Sequence, residues 1–360
     1  MPGALLIRAD RALLDGRLRA VAVLIEDRVI TEIRLGLPTP PGARVIECDL
    51  LSPGFVDLHV HALDGRGMVG AGAPDIAGLS AALATRGVTG FLATTVTAPL
   101  DALLAAVSDR AMGEGARCLG VHLEGPWLNA TCAGAQPQEH LQPPDLGALE
   151  QLLSAGPPVM ITLAPELPDA LWLIARAVSS GVVVSLGHSA ATFEQARAGF
   201  QAGARHVTHC FNGMAPMHHR EPGLAGAVLD HPDATIEVIA DGQHLHPAVV
   251  RLLWRVAGPT RVCLVSDAVD VSDVGGTGVA TLTDGTLAGS RIGLDQMVRN
   301  LVAWGIPLVD ALTMASITPA SVLAQRQAIE VGAPADLVVL DDDLEVLATV
   351  VDGSVVWERS

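Results

Sequence analysis

Lysine is missing altogether: the 360 residues hold 22 basic side chains, and every one is arginine. Chemistry that needs a lysine is excluded, including the carboxylated lysine with which many two-metal barrels bridge their ions. Basic charge is scarce in general, because those arginines face 39 acidic residues and leave a net charge of -17. Phosphate backbones and anionic membranes demand basic faces, so nucleic-acid and membrane-surface binding are excluded as functions. Cysteine is sparse as well. The five present are an odd number, without the paired spacing of zinc ribbons or disulfide frameworks, which fits a reducing compartment. No apolar run approaches the roughly 18 residues of a membrane span, and Met1 to Arg11 lacks a basic start followed by an apolar signal core. A cytoplasmic, non-membrane protein is expected. With 50% hydrophobic and 17% charged residues, the chain is long and apolar enough for one large buried domain or two unequal ones.

What is present centres on Leu119-Gly120-Val121-His122-Leu123-Glu124-Gly125-Pro126. An apolar run closed by Gly-Pro reads as a buried strand, and a carboxylate at its end is costly unless paired or bound to a metal. With lysine absent, the partner of Glu124 is an arginine or a metal. Histidines at the ends of other apolar runs, namely His59, His61, His188 and His209, favour the metal.

Residues 1 to about 50 alternate apolar and polar side chains between Gly and Pro clusters, and so do the last 35. The spacing predicts a small β-sandwich domain from residues 1–50 with 326–360. Between these ends, over 51–325, apolar runs alternate with Ala/Leu-rich amphipathic stretches, the sign of repeated βα units. Runs at 54–58, 88–96, 118–124, 158–164, 182–187, 206–210, 235–240 and 262–266 make eight, which predicts a (β/α)8 TIM barrel. Active groups in that fold lie at the carboxyl ends of the strands.

The candidates fall there. His59 and His61 close the first run, Glu124 the third, His188 the fifth, His209 the sixth, Asp241 the seventh and Asp267 the eighth. Any one of them alone would read as a hydrogen-bonded structural residue; their coincidence on one rim is the signal. His59 and His61 are two apart, so on a strand both rings face one side. Glu124 offers two oxygens and can bridge two ions, while imidazole nitrogens suit zinc, iron or manganese. Asp267 is the expected general base, with a purely ligating role as the alternative, because a metal lowers the pKa of bound water to about 7 and a neighbouring carboxylate can take its proton. Glu166, after the fourth run, is expected to be structural.

At these residues the chain resembles the N-acetylglucosamine-6-phosphate deacetylases of the amidohydrolase superfamily. The likeness runs through Pro53 to His61, His122 to Trp127, Leu186 to Ser189, Thr208 to Met214, Arg220 to Gly226, Asp241 to His244, Ser266 to Ala268 and Asp284 to Ser290. It implies that Glu124, His188 and His209 hold a principal divalent ion, that His59 and His61 serve a second ion kept by some members, and that Asp267 is the acid-base residue. It further implies that Asn212, Gly213, Arg220, His244, Ala135 and Gln136 meet a phosphorylated amino sugar, and that the enzyme is a homodimer whose phosphate pocket borrows groups from the neighbouring subunit. Zinc is the expected ion, with iron or manganese as alternatives. A planar, bidentate arginine suits a phosphate ester, which supports Arg220 against a surface pair with Glu221.

One departure stands out. Family members typically carry Gly-Thr-His or Gly-Ala-His where this chain has Gly134-Ala135-Gln136. A glutamine amide donates a hydrogen bond but is never cationic, so it stabilises a developing oxyanion less than a charged histidine would. His140 lies close by but is not expected to substitute. The change keeps open N-acetylgalactosamine 6-phosphate as the substrate, or a non-catalytic metal-binding relative, beside hydrolysis of the acetamide of N-acetylglucosamine 6-phosphate. Trp127 is expected to pack rather than touch substrate.

Overall fold

The computed structural model describes residues 4–68, 74–109, 113–269, 279–281 and 285–360. Eight parallel strands form one sheet in chain order: Phe55–Val60, Val88–Thr95, Arg117–Glu124, Met160–Leu163, Val183–Leu186, His206–Val207, Thr235–Val238 and Val262–Leu264. Each lies within or beside one of the eight apolar runs. Beyond the eighth strand, Ala268 bridges Val60 in parallel, and its carbonyl accepts the N–H groups of His61 (3.0 Å) and Ala62 (2.9 Å). These bonds bring the first and last strands together at the carboxyl rim.

The strands are almost wholly buried because helices cover them outside and side chains fill them inside. Helices such as Ala170–Ser179, Pro247–Ala257 and Leu294–Ala303 turn Leu173, Ile174, Leu253 and Leu301 inward, and these pack into one continuous apolar core. Helix starts are set locally. Asp145 accepts the N–H groups of Gly147 and Ala148, and Thr192 forms a reciprocal capping pair with Gln195. Among the described residues, no helix is long and apolar enough to cross a membrane.

The two chain ends meet in a single seven-stranded sheet. Arg44–Pro53 is its hub, pairing in parallel with Leu5–Leu14 and antiparallel with Leu337–Leu340. Its apolar face (Ile7, Val23, Leu51, Leu337, Val339 and Val350) forms a separate core drawn from these strands and Ile329. Strands from both chain ends thus share one sheet and one core of their own, consistent with the small terminal β domain expected from the sequence. It joins the barrel through Gly54, whose N–H reaches the Asp336 carbonyl (2.9 Å). Only glycine fits there, since a Cβ would lie 2.2 Å from the Thr89 side chain. An ion pair between Arg117 and Asp336 and a 2.6 Å bond from Thr349 Oγ1 to the Ala84 carbonyl tie the two parts further.

Candidate metal centre

The third strand carries Glu124 to the rim, where its carboxylate is 2% exposed and meets imidazoles from three other strands. Glu124 Oε1 lies 2.9 Å from His188 Nε2, 2.9 Å from His209 Nε2 and 3.5 Å from His59 Nε2; Glu124 Oε2 lies 3.3 Å from His61 Nε2. The rings crowd one another, with Nε2 atoms 3.1 Å apart for His188 and His209 and 3.2 Å apart for His59 and His61. Five residues expected as metal ligands thus share one point.

The far nitrogen of each ring decides what the near one presents. Nδ1 of His61, His188 and His209 donates to the carbonyls of Thr94 (3.1 Å), Cys132 (2.9 Å) and Asn212 (3.2 Å), and Nδ1 of His59 donates to Glu237 (3.0 Å). In a neutral ring with its proton on Nδ1, Nε2 carries a lone pair. Four lone pairs and two carboxylate oxygens then converge, all acceptors, at distances where like groups repel. A divalent cation is what such a donor set fits, and its hard-to-borderline oxygens and nitrogens match zinc, iron or manganese. Among the described residues three groups are each close enough to hold an ion: Glu124 with His188 and His209, Glu124 with His59 and His61, and, behind them, His59 with His122 and Glu237.

The surroundings are strongly polarised. Burial opposes charge on His59, but the carboxylates of Glu124, Glu237 and Asp267 hold its pKa well above the ordinary histidine value. Burial likewise opposes charge on His61, and its bonds to Asp267 and Glu124 raise it to about 9. Glu124 stays ionised despite burial, because His59, His188 and His209 hold its pKa well below the carboxylate range. His122, on the same strand, stays outside the cluster. Its nitrogens meet the Leu58 carbonyl (3.0 Å) and Thr162 Oγ1 (2.7 Å), and burial, then His59, push its pKa down to about 3.

Asp267 follows the eighth strand with Oδ1 3.5 Å from His59 Nε2 and 3.4 Å from His61 Nε2. Burial would raise its pKa, but His59, His61 and His209 hold it below the ordinary carboxylate value. Backbone strain marks the same groups. His188, His209 and Asp267 have φ of 47°, 23° and 45°, a region that side chains other than glycine rarely adopt.

A cavity of about 380 Å³ opens above this cluster, lined by Ala135, Gln136, Asn212, Gly213, His244, Thr286 and Ala288 together with Asp267 and every candidate ligand except His59. His244 Nδ1 is held by Asp241 Oδ2 at 2.7 Å, and Asp241 Oδ1 also accepts the His244 N–H, so Asp241 is a support of the loop rather than a ligand. Gly213 packs against His188: its φ is +57°, and a Cβ would stand 2.9 Å from the His188 ring. Gln136 donates to Glu124 and accepts from the Thr97 N–H (2.7 Å).

Other candidates lie elsewhere. Arg220 is exposed, with its guanidinium 2.8 Å from the His219 ring, and it lines a separate cavity of about 410 Å³ beside Phe193 and Pro222. Within its own chain it is not brought to the cluster. His140 is half-buried and absent from the cavity lining. Glu166 is structural, bonding Asn129 (2.9 Å), Ser189 (2.7 Å) and the Ala190 N–H (2.7 Å), and so ties the loop of Cys132 to that of His188. Trp127 is fully buried in the core. Asp284 of the quoted motif lies outside the described residues.

Sequence reasoning overlooked Glu237. This fully buried carboxylate on the seventh strand accepts from His59 Nδ1, His206 Nε2 (3.1 Å) and the His209 backbone N–H (3.1 Å). The signal was available, since a glutamate inside the run Ile236-Glu237-Val238 needs a partner for the reason Glu124 does.

The amidohydrolase family model matches residues 50–356. The N-acetylglucosamine-6-phosphate deacetylase of Vibrio furnissii is 36% identical over 86% of this chain and 84% of its own. The N-acetylgalactosamine-6-phosphate deacetylase of Escherichia coli O157:H7 is 37% identical over 94% and 96%. Among solved structures, the N-acetyl-D-glucosamine-6-phosphate deacetylase of Mycobacterium smegmatis, in complex with N-acetyl-D-glucosamine-6-phosphate, superposes with a TM-score of 0.89, 33% identity and coverage of 99% and 100%. With its barrel, its rim of ligands and these matches along nearly its whole length, the chain belongs to the amidohydrolase family and, within it, to the N-acetylglucosamine-6-phosphate deacetylases.

Proposed function

We propose that the chain hydrolyses the acetamide of N-acetyl-D-glucosamine 6-phosphate, yielding D-glucosamine 6-phosphate and acetate. The observation that carries this reading is the convergence of four imidazole lone pairs and the Glu124 carboxylate beside Asp267, beneath a cavity at the carboxyl rim of the barrel. A divalent ion held there supplies a Lewis acid and an activated water at neutral pH. Glu124, His188 and His209 are its principal ligands, with His59 and His61 completing a second position. Zinc is the ion we expect, ahead of iron or manganese.

Asp267 takes the proton of the attacking water and delivers it to the departing amine. Its lowered pKa suits the first role, since it is a carboxylate at neutral pH. His244, steadied by Asp241, and Asn212 orient the sugar, and the amide of Gln136 faces the acetamide from the opposite loop with the N–H that Glu124 leaves over. Arg220 supplies phosphate recognition from a neighbouring subunit of a homodimer. Its distance from its own chain's cluster supports that assignment. Five free cysteines accord with a cytoplasmic setting, and the small sheet of both chain ends, whose hub strand runs on to Pro53, is a domain joined to the barrel.

Acetate release from N-acetylglucosamine 6-phosphate and from its unphosphorylated parent tests the reading, using protein reconstituted separately with zinc, manganese and iron. Fast release from the phosphorylated sugar alone is expected; equally slow release from both would overturn it. A second reading, N-acetylgalactosamine 6-phosphate as substrate, is favoured by Gln136 and by the 37% identity to a relative of that name. Turnover of the two epimers side by side decides between them.

A further inference from the structure

The two ends of the Gln136 amide are assigned by their neighbours. The Thr97 backbone N–H only donates, so the atom it meets is the amide oxygen; Glu124 Oε2 only accepts, so the atom beside it is the amide nitrogen. The residue is 8% exposed, its backbone N–H is fixed to the Ala133 carbonyl at 3.1 Å, and its side-chain amide is held at both ends by Thr97 and Glu124. Consequently the two oxygens of Glu124 are unequal. Oε1 faces the imidazoles of His188 and His209, each at 2.9 Å, and of His59 at 3.5 Å, whereas Oε2, which faces His61, already receives a charge-assisted hydrogen bond from the Gln136 amide.

We infer that Gln136 is a positioning residue that grades the two halves of the metal centre, so that the ion at Glu124 Oε1, His188 and His209 is held tightly and one at Glu124 Oε2, His59 and His61 weakly. The N–H at Oε2 draws charge from that oxygen and fixes the carboxylate plane toward the first position. A second ion has to share Oε2 with a donor. The inference rests on the metal-dependent reading of the site and concerns how many ions the resting protein keeps.

The test is a zinc titration of the full-length, chelator-stripped protein in competition with a chromophoric chelator. Wild type is expected to take one ion per chain tightly and a second at least tenfold more weakly, on the order of the effect of hydrogen-bonded neighbours on metal affinity. In Gln136→Leu and Gln136→Met, which fill the space without a donor, the second affinity rises by about tenfold or more while the first stays within about threefold. Two variants of different shape guard against a folding defect, which far-ultraviolet circular dichroism reads. Two ions of equal affinity in wild type, or an unchanged or weaker second ion in both folded variants, would overturn the inference alone. No stoichiometric binding in wild type would overturn it together with the metal-dependent reading.

Discussion

Glu237→Gln removes one charge from the middle of the barrel and leaves its shape intact. The native carboxylate meets three donors, His59 Nδ1 at 3.0 Å, His206 Nε2 at 3.1 Å and the His209 N–H at 3.1 Å. A glutamine keeps one acceptor and turns an NH2 group toward the donors that remain, so at least one contact becomes repulsive. Removing one partner of a buried pair costs about 3–5 kcal/mol. At about 2.1 cal/mol/K of unfolding entropy per residue, a chain of this length should lose roughly 4–7 °C in the thermal midpoint of the metal-free protein. The sign with pH follows from Glu237 itself. Burial opposes its ionisation, but His59 and His206 hold its pKa well below the ordinary value, so the stabilisation is present above the unfolded pKa of about 4.3 and disappears as pH falls through the lower folded one. The gap between wild type and variant should therefore be steady from pH 5 to 8 and close only in stronger acid. Because Glu237 orients His59, zinc affinity at the His59/His61 position should also fall by about 10- to 100-fold. Calorimetry across that pH range and a zinc titration check both. Midpoints within about 1 °C of each other, with unchanged zinc affinity, would refute the view that this carboxylate organises the site.

Asp267→Asn should lower kcat by about 10²- to 10⁴-fold, the usual worth of a general acid-base group, while substrate binding measured by calorimetry stays near wild type; full activity would sink the mechanism. Arg220→Ala should raise KM for the phosphorylated sugar and leave the slow reaction of the unphosphorylated one unchanged. If Arg220 serves the neighbouring subunit, mixing refolded Arg220→Ala and Asp267→Asn chains restores sites with the wild-type KM, giving at low substrate more activity than the two variants sum to, and failure to complement in a verified mixed dimer refutes the shared pocket. Cys48 is half-buried, yet burial, with Asp49 and Asp10 adding to it, pushes its thiol up to about 12. Only the thiolate is nucleophilic, so its alkylation, followed by mass spectrometry, should be slow at pH 8 and rise about tenfold per pH unit up to about pH 11; rapid labelling at pH 8 would contradict this.

The sequence by itself determined the strand order and the kind of chemistry. Apolar runs closed by turn residues are local signals, and each barrel strand shows one, so His59, His61, Glu124, His188, His209 and Asp267 could be placed on a common rim by counting units. The absence of lysine left Glu124 as the residue that would bridge if two ions were bound. Only the tertiary structure decided which atoms face which. Nothing local says that Thr97 and Glu124 grip the two ends of Gln136, because those residues are 39 and 12 positions away and meet only when the strands curve into a barrel. Glu237 gains its meaning from His59, 178 residues earlier, which the closed sheet brings across the barrel to it. Arg220 shows the converse: its motif suggested a phosphate ligand, but the fold sets it in another cavity of its own chain. Sequence patterns report which residues a strand must bury or carry to its end, whereas hydrogen-bond partners across the barrel depend on sheet closure and register, which no single segment encodes.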